Sequence, residues 1–121
     1  MLRRLRGRWH EVVTGVVVLP PGRTGSLIRH CVTSVLMRYL ADGEIEASIA
    51  GGVPFDKAGG YAIQDPELAP IESYEGCYCN VMGLPLWPTI EILRKVGIEV
   101  SAGAEDLLPQ CESCPLRLPT P

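Results

Sequence analysis

Two early stretches of the chain are dominated by apolar and β-branched residues, the second of them with a two-residue period. HEVVTGVVVL, His10 to Leu19, is rich in β-branched residues and predicts a strand. PPGRTG after it has the composition of a turn. RHCVTSVLMRYL then resumes with Cys31, Thr33, Val35 and Met37 on one face and Val32, Ser34 and Leu36 on the other, so the two strands predict an antiparallel hairpin. From Ala41 the period lengthens. ADGEIEASIAGG sets Ile45 and Ile49 one helical turn apart with Ser48 on the same side, Asp42 near the start and Gly51-Gly52 as the stop. Ala62 and Ile63 form a brief extended piece, and DPELAP is a loop. A strand runs up to about Glu75, and LPLWPTIEILRKVGI carries a helical stripe of Pro88, Ile90, Leu93 and Val96, with proline tolerated in the first turn. After Val100 the chain is loop-like. This order predicts a mixed α/β arrangement with helices packed on a sheet.

The 121 residues suffice for one core, so one domain or part of one is expected. The net charge of −3 gives no reason to expect nucleic acid as partner. Arg3, Arg4, Arg6 and Arg8 crowd the first turns, where they read as the solvated face of a short helix and not as a transit peptide or a phosphate patch. No apolar run is long enough for a membrane span and no secretory segment follows the arginines, so a soluble cytoplasmic protein is expected. Five cysteines are an odd number, which favours reduced thiols over a disulfide framework. Cys111 and Cys114 have the spacing of half a zinc site or a redox pair. Cys77 and Cys79 are an uncommon second half, and an irregular tail with incidental cysteines accounts for the pattern more simply.

Candidate chemistry concentrates in VPFDKAGGYAIQ, Val53 to Gln64. Asp56 and Lys57 are adjacent, so in an extended segment they point to opposite faces and need not pair. A lysine beside Gly59 and Gly60 suits a phosphate, although the stretch is not a P-loop. Gln64 presents a donor and an acceptor side by side, the geometry that reads a uracil or thymine edge. On residue types alone an ordinary turn explains all of this. Elsewhere, His10 and His30 have no metal-ligand companions at helical spacing, and no G-x-S-x-G elbow occurs.

Four stretches, taken together, resemble the Maf family of nucleotide pyrophosphatases: HEVVTGV, TSVLMRYL followed by Glu44-Ile45, PFDKAGGYAIQ, and EGCYCNVMGLPL. The resemblance reaches from about Met1 to about Val100. It implies an α/β fold with a long mixed sheet and a cleft, hydrolysis of nucleoside triphosphates to the monophosphate and pyrophosphate, and a divalent cation, Mg²⁺, as cofactor. The YAIQ ending resembles the branch acting on dTTP and UTP, which implies a pyrimidine nucleotide as ligand, Gln64 as its base-selective residue, and Asp56, Lys57, Gly59 and Gly60 as the substrate loop.

The family's S-x-S-P-R-R loop, metal-binding glutamate and A-D-T strand, with its general-base aspartate, do not occur in this sequence. Residues 1–100 are therefore expected to be the C-terminal half of a Maf-like domain, with 101–121 as a tail and the catalytic residues outside the chain. Half a two-lobed domain leaves apolar surface uncovered, so self-association as a homodimer is an expected state. Smaller departures are Cys77 for serine, Met37 for an aromatic, and Asp65 for glycine. The alternative expectation is a truncated, non-catalytic remnant that binds nucleotide or assists a partner.

Overall fold

The computed structural model describes residues 1–103 and 106–119. In chain order it contains α1 (Leu2–Leu5), β1 (Trp9–Val18), β2 (Leu27–Met37), α2 (Asp42–Ala50), β3 (Ile71–Glu75), α3 (Tyr78–Met82) and α4 (Leu86–Lys95). Short 3₁₀ turns lie at Val53–Asp56, Ala58–Gly60 and Pro109–Cys111. The strands form one sheet in the order β1-β2-β3, and the α/β class expected from the periodicities is the observed one. Among the described residues no helix is long and apolar enough to cross a membrane. Two compact units share the chain: Met1–Glu11 with Ser34–Glu75, and Val12–Thr33 with Gly76–Pro121.

In the first unit β2 pairs antiparallel with β3, with Ser34 opposite Glu75, Val35 opposite Tyr74 and Leu36 opposite Ser73. A bulge between Leu36 and Met37 then brings Met37 opposite Ile71. The period-2 pattern of β2 holds: Val35 and Met37 are fully buried. They share this core with Leu2, Leu40, Ile45, Tyr61 and Leu68. Helix α2 begins where the Glu44 carboxylate accepts the Ala41 N–H at 2.9 Å, half of a capping box. It buries Ile45 and Ser48, whereas Ile49, expected on the same face, is 45% exposed. The N-terminal arginines are partly used: Arg3 and Arg6 donate to Asp42 at 3.1 and 2.8 Å, and the Arg6 guanidinium lies 4.8 Å from the Tyr39 ring centre.

The second unit has a core of Cys31, Cys77, Cys79, Trp87, Ile90, Cys111 and Cys114, with Leu107, Leu108 and Leu118 packed against it. The tail cysteines, read as incidental, are core residues. Asn80 is completely buried, and its Nδ2 donates to the carbonyls of Val12 (3.0 Å) and Cys31 (3.2 Å) and to Thr33 Oγ1 (2.9 Å). Thr33 Oγ1 in turn accepts the Cys77 N–H at 3.0 Å and donates to the Cys77 carbonyl at 3.2 Å. The two side chains thereby supply hydrogen-bond partners to the backbone around this core.

Three other expectations change. Ala62 and Ile63 are not in a strand, because two 3₁₀ turns and a further turn fold the segment around them. Tyr78–Met82 is a helix that the pattern missed, its five residues being too few to show a period. Helix α4 buries Trp87, Pro88, Ile90 and Ile92, while Leu93 is only partly buried, so the buried face is rotated from the expected stripe. The portions of the expected tail at 104–105 and 120–121 lie outside the described residues.

Substituting Asn80 by Leu keeps the branched side-chain skeleton but removes the donor for two carbonyls and Thr33 and adds bulk to a fully buried site. Chemical unfolding should show a loss of about 2–4 kcal/mol, read from the midpoint at unchanged denaturant slope.

Candidate functional site

The stretch from Val53 to Gln64 is compact and not extended. Two 3₁₀ turns follow one another, with Lys57 between them. This corrects the expectation that Asp56 and Lys57 point apart. Lys57 Nζ donates to Asp56 Oδ1 at 2.8 Å and to the Val53 carbonyl at 3.1 Å. The lysine beside it holds the Asp56 carboxyl below its usual range. Lys57 thus closes the loop on itself.

The paired glycines have a conformational reason. Gly59 and Gly60 adopt φ of +76° and +82°, a region that side chains disfavour. A Cβ on Gly59 would stand 3.0 Å from the Tyr61 ring, and one on Gly60 would stand 3.4 Å from Pro54. Tyr61 is the reason for the tight packing. It is buried, and its hydroxyl lies 2.6 Å from His10 Nε2, with the rings edge to face at 5.6 Å.

Burial governs the ionisation of both partners. It pushes the Tyr61 phenol up to about 12 and lowers His10 from its ordinary 6.5, so the pair is neutral at neutral pH. The Arg8 backbone opposes the His10 shift, yet Nδ1 itself is buried without a hydrogen-bond partner. Local spacing offers His10 no metal-ligand companion and no other partner. Its true partner is 51 positions away, a distance at which no periodic signal operates.

Gln64 sits on the turn that follows. It is exposed, and no protein group bonds its side chain among the described residues. The next residue fixes that turn: Asp65 Oδ1 accepts the N–H groups of Glu67 (3.0 Å) and Leu68 (3.1 Å), and the Asp65 carbonyl accepts from Ala69 N at 2.9 Å. Asp65 does this without a positive φ, so an aspartate stands at this position without backbone strain. The strained residue is Ala69, at φ +41°. Arg38 Nε holds its carbonyl at 2.9 Å, and Arg38 also donates to the Leu68 carbonyl. The same guanidinium forks onto Glu44 at 2.8 and 3.1 Å, lowering that carboxyl to about 2.

Two depressions flank these residues. One, of about 230 Å³, is lined by Glu44, Ala47, Ser48, Gly51, Val53, Asp65, Glu67 and Leu68, and the buried Ser48 Oγ has no protein partner. The other, of about 390 Å³, is formed by Trp9, His10, Glu11, Ser34 and Glu75. Carboxylates in both walls disfavour an unaccompanied phosphate. The implied divalent cation finds no place here: among the described residues no group of three or more His, Cys, Asp or Glu is arranged to hold a metal ion. Asp56 is committed to Lys57.

Residues 1–96 match the family model described as Maf-like protein. The chain belongs to the Maf family. It is similar to a dTTP/UTP pyrophosphatase of Thermomicrobium roseum, 56% identical over 117 residues, which cover 96% of this chain and 53% of the relative. A dTTP/UTP pyrophosphatase of Geobacter sulfurreducens is 47% identical over 97 residues, 80% of this chain and 51% of the relative. One of Alkaliphilus metalliredigens is 46% identical over 95 residues, 78% and 50% respectively. The chain spans about half the length of these curated relatives.

The His10 shift fixes a pH dependence. Its folded pKa lies below the ordinary 6.5, so the unfolded chain takes up the proton first as pH falls. Its share of stability is complete above about pH 6.5 and is lost as pH drops toward the lowered value. Asp42 and Glu44, also lowered, act in the same sense but only below their ordinary 3.8 and 4.5. Thermal midpoints measured against pH should show the step near 6.5 in the parent chain and its loss in His10→Gln, with the acidic step kept.

Proposed function

We propose that this chain forms the base-recognising half of a dTTP/UTP pyrophosphatase, a hydrolase releasing a nucleoside monophosphate and pyrophosphate. The observation that carries this reading is the exposed, unbonded Gln64 amide at the head of a turn held by Asp65 and Arg38. The names borne by relatives of up to 56% identity support it. The amide N–H meets a uracil or thymine carbonyl, and its oxygen accepts the neighbouring ring N–H. Beside the turn, the depression of about 230 Å³ has room for a ring, and the Ser48 hydroxyl there lacks a partner. Lys57 and Asp56 lock the approach to Tyr61, so their role is to shape the loop. Gly59 and Gly60 permit that shape. The residues that activate water, and those that bind Mg²⁺, lie in the other half of such an enzyme.

A second reading has its own observation. The carboxylates beside the turn are engaged, Asp56 with Lys57 and Glu44 with Arg38, and the described residues gather no metal-ligand set, which favours a nucleotide-binding role without catalysis for these residues. Its assembly as a homodimer belongs with this proposal, as does a cytoplasmic location.

The test measures binding of UTP, dTTP and ATP to the purified chain by calorimetry, alongside pyrophosphate release with Mg²⁺ present. Tighter UTP and dTTP binding with release supports the enzyme, and the same preference without release supports the fragment. Equal affinity for all three would sink base recognition. Gln64→Glu cannot donate to the base carbonyl, so affinity for UTP should fall roughly ten- to hundred-fold relative to the parent.

A further inference from the structure

The sequence drew attention to Cys111 and Cys114 as neighbours, but the fold couples Cys111 to a different thiol. Cys79, on α3, and Cys111, at the end of the last 3₁₀ turn, are 32 positions apart, and their sulfurs are 3.2 Å from each other. Both are buried, with 3% and 1% exposure. Neither backbone is loose. The Cys79 carbonyl accepts from Gly83 and Leu84 at 3.1 and 3.0 Å, and the Cys111 carbonyl accepts the Trp87 indole N–H at 3.0 Å.

We propose that Cys79 and Cys111 are an oxidative modification site, joined by a disulfide that fastens the C-terminal segment to α3. The sulfurs need to close only from 3.2 Å to the bond length of about 2.04 Å. The oxidant is a hydroperoxide. One thiolate attacks the peroxide, breaking its O–O bond and leaving a sulfenic acid. The second sulfur displaces the sulfenic oxygen as water. In sum two S–H bonds and one O–O bond are lost, one S–S bond and two molecules of water form from hydrogen peroxide, and two electrons pass from sulfur to oxygen.

Burial and the facing Cys111 thiol push Cys79 up to about 12, which keeps the reduced pair unreactive toward brief oxidant exposure. The cross-link is therefore a slow, structural bond and not a rapid sensor. It would close a long loop between α3 and the tail, constraining the unfolded chain more than the folded one.

The experiment uses the full chain, reduced and stripped of metal with a chelator, then incubated with excess hydrogen peroxide and with an unoxidised control. Intact mass should fall by two hydrogens per chain, and non-reducing peptide mapping should recover the Cys79–Cys111 pair. The thermal midpoint should rise by roughly 5–15 °C and return on reduction. Cys79→Ser should lose both changes, whereas Cys114→Ser should keep them. The mapping on the parent chain needs no variant, so a variant that fails to fold leaves the test intact. A Cys111–Cys114 link, unchanged mass, or one tightly held zinc per chain before chelation would each overturn the proposal.

Discussion

One guanidinium holds the first unit in register. Arg38, just past the end of β2, forks onto Glu44 in the first turn of α2 and donates to the carbonyls of Tyr39, Leu68 and Ala69. Its planar set of donors suits such a divergent group of acceptors, which a lysine's point charge could not satisfy together. The Arg38 side chain is 31% exposed and that of Glu44 42%, so the ion pair itself adds only modestly to stability. What it supplies is placement. The strand end, the helix start and the turn leading into β3 are fixed by one side chain, and Ala69 keeps its unfavourable backbone conformation as a consequence.

The presentation of Gln64 rests on that placement. Upstream, the loop is closed by Lys57 on Asp56 and by Tyr61 on His10. Downstream, Asp65 binds two backbone N–H groups and Arg38 holds the carbonyls that follow. Asp56, Lys57 and Asp65 each have a structural task, and of the candidates Asp56, Lys57 and Gln64 only Gln64 is left unbonded and exposed. Folding thus leaves the amide oriented by the turn that carries it, so little further ordering of this segment is needed for an external polar group to meet it. In the second unit, Asn80 and Thr33 bond backbone groups around a core rich in thiols.

Much of the fold was legible because local patterns and burial agree. The alternation in β2 placed Cys31, Thr33, Val35 and Met37 on one face, and the fold buries all four. Helix α2 appeared at its expected position, ending at the paired glycines. Its burial was less legible: Ser48 is covered and Ile49 is not, because a neighbouring element decides which side of a nine-residue helix is inside. In α4 the apolar residues admit two stripes, and packing selected Trp87 and Ile92 over Leu93 and Val96. In the candidate site, the extended geometry expected of the Val53–Gln64 stretch is not the observed one. Asp56 and Lys57 pair because the chain turns there, and local alternation rules apply only to extended backbone.

By itself the sequence determined the α/β class, the strands and principal helices, and the membership of residues 1–96 in a family, since these depend on periodicity and on runs of specific residues. Tertiary structure alone decided which groups meet. His10 finds Tyr61 across 51 positions, Arg38 finds Ala69 across 31, and Cys79 finds Cys111 across 32. Such partners are chosen by the path of the backbone through space. Short-range contact rules do not reach them, because a side chain's local pattern records which face it occupies and not what arrives from the far end of the chain.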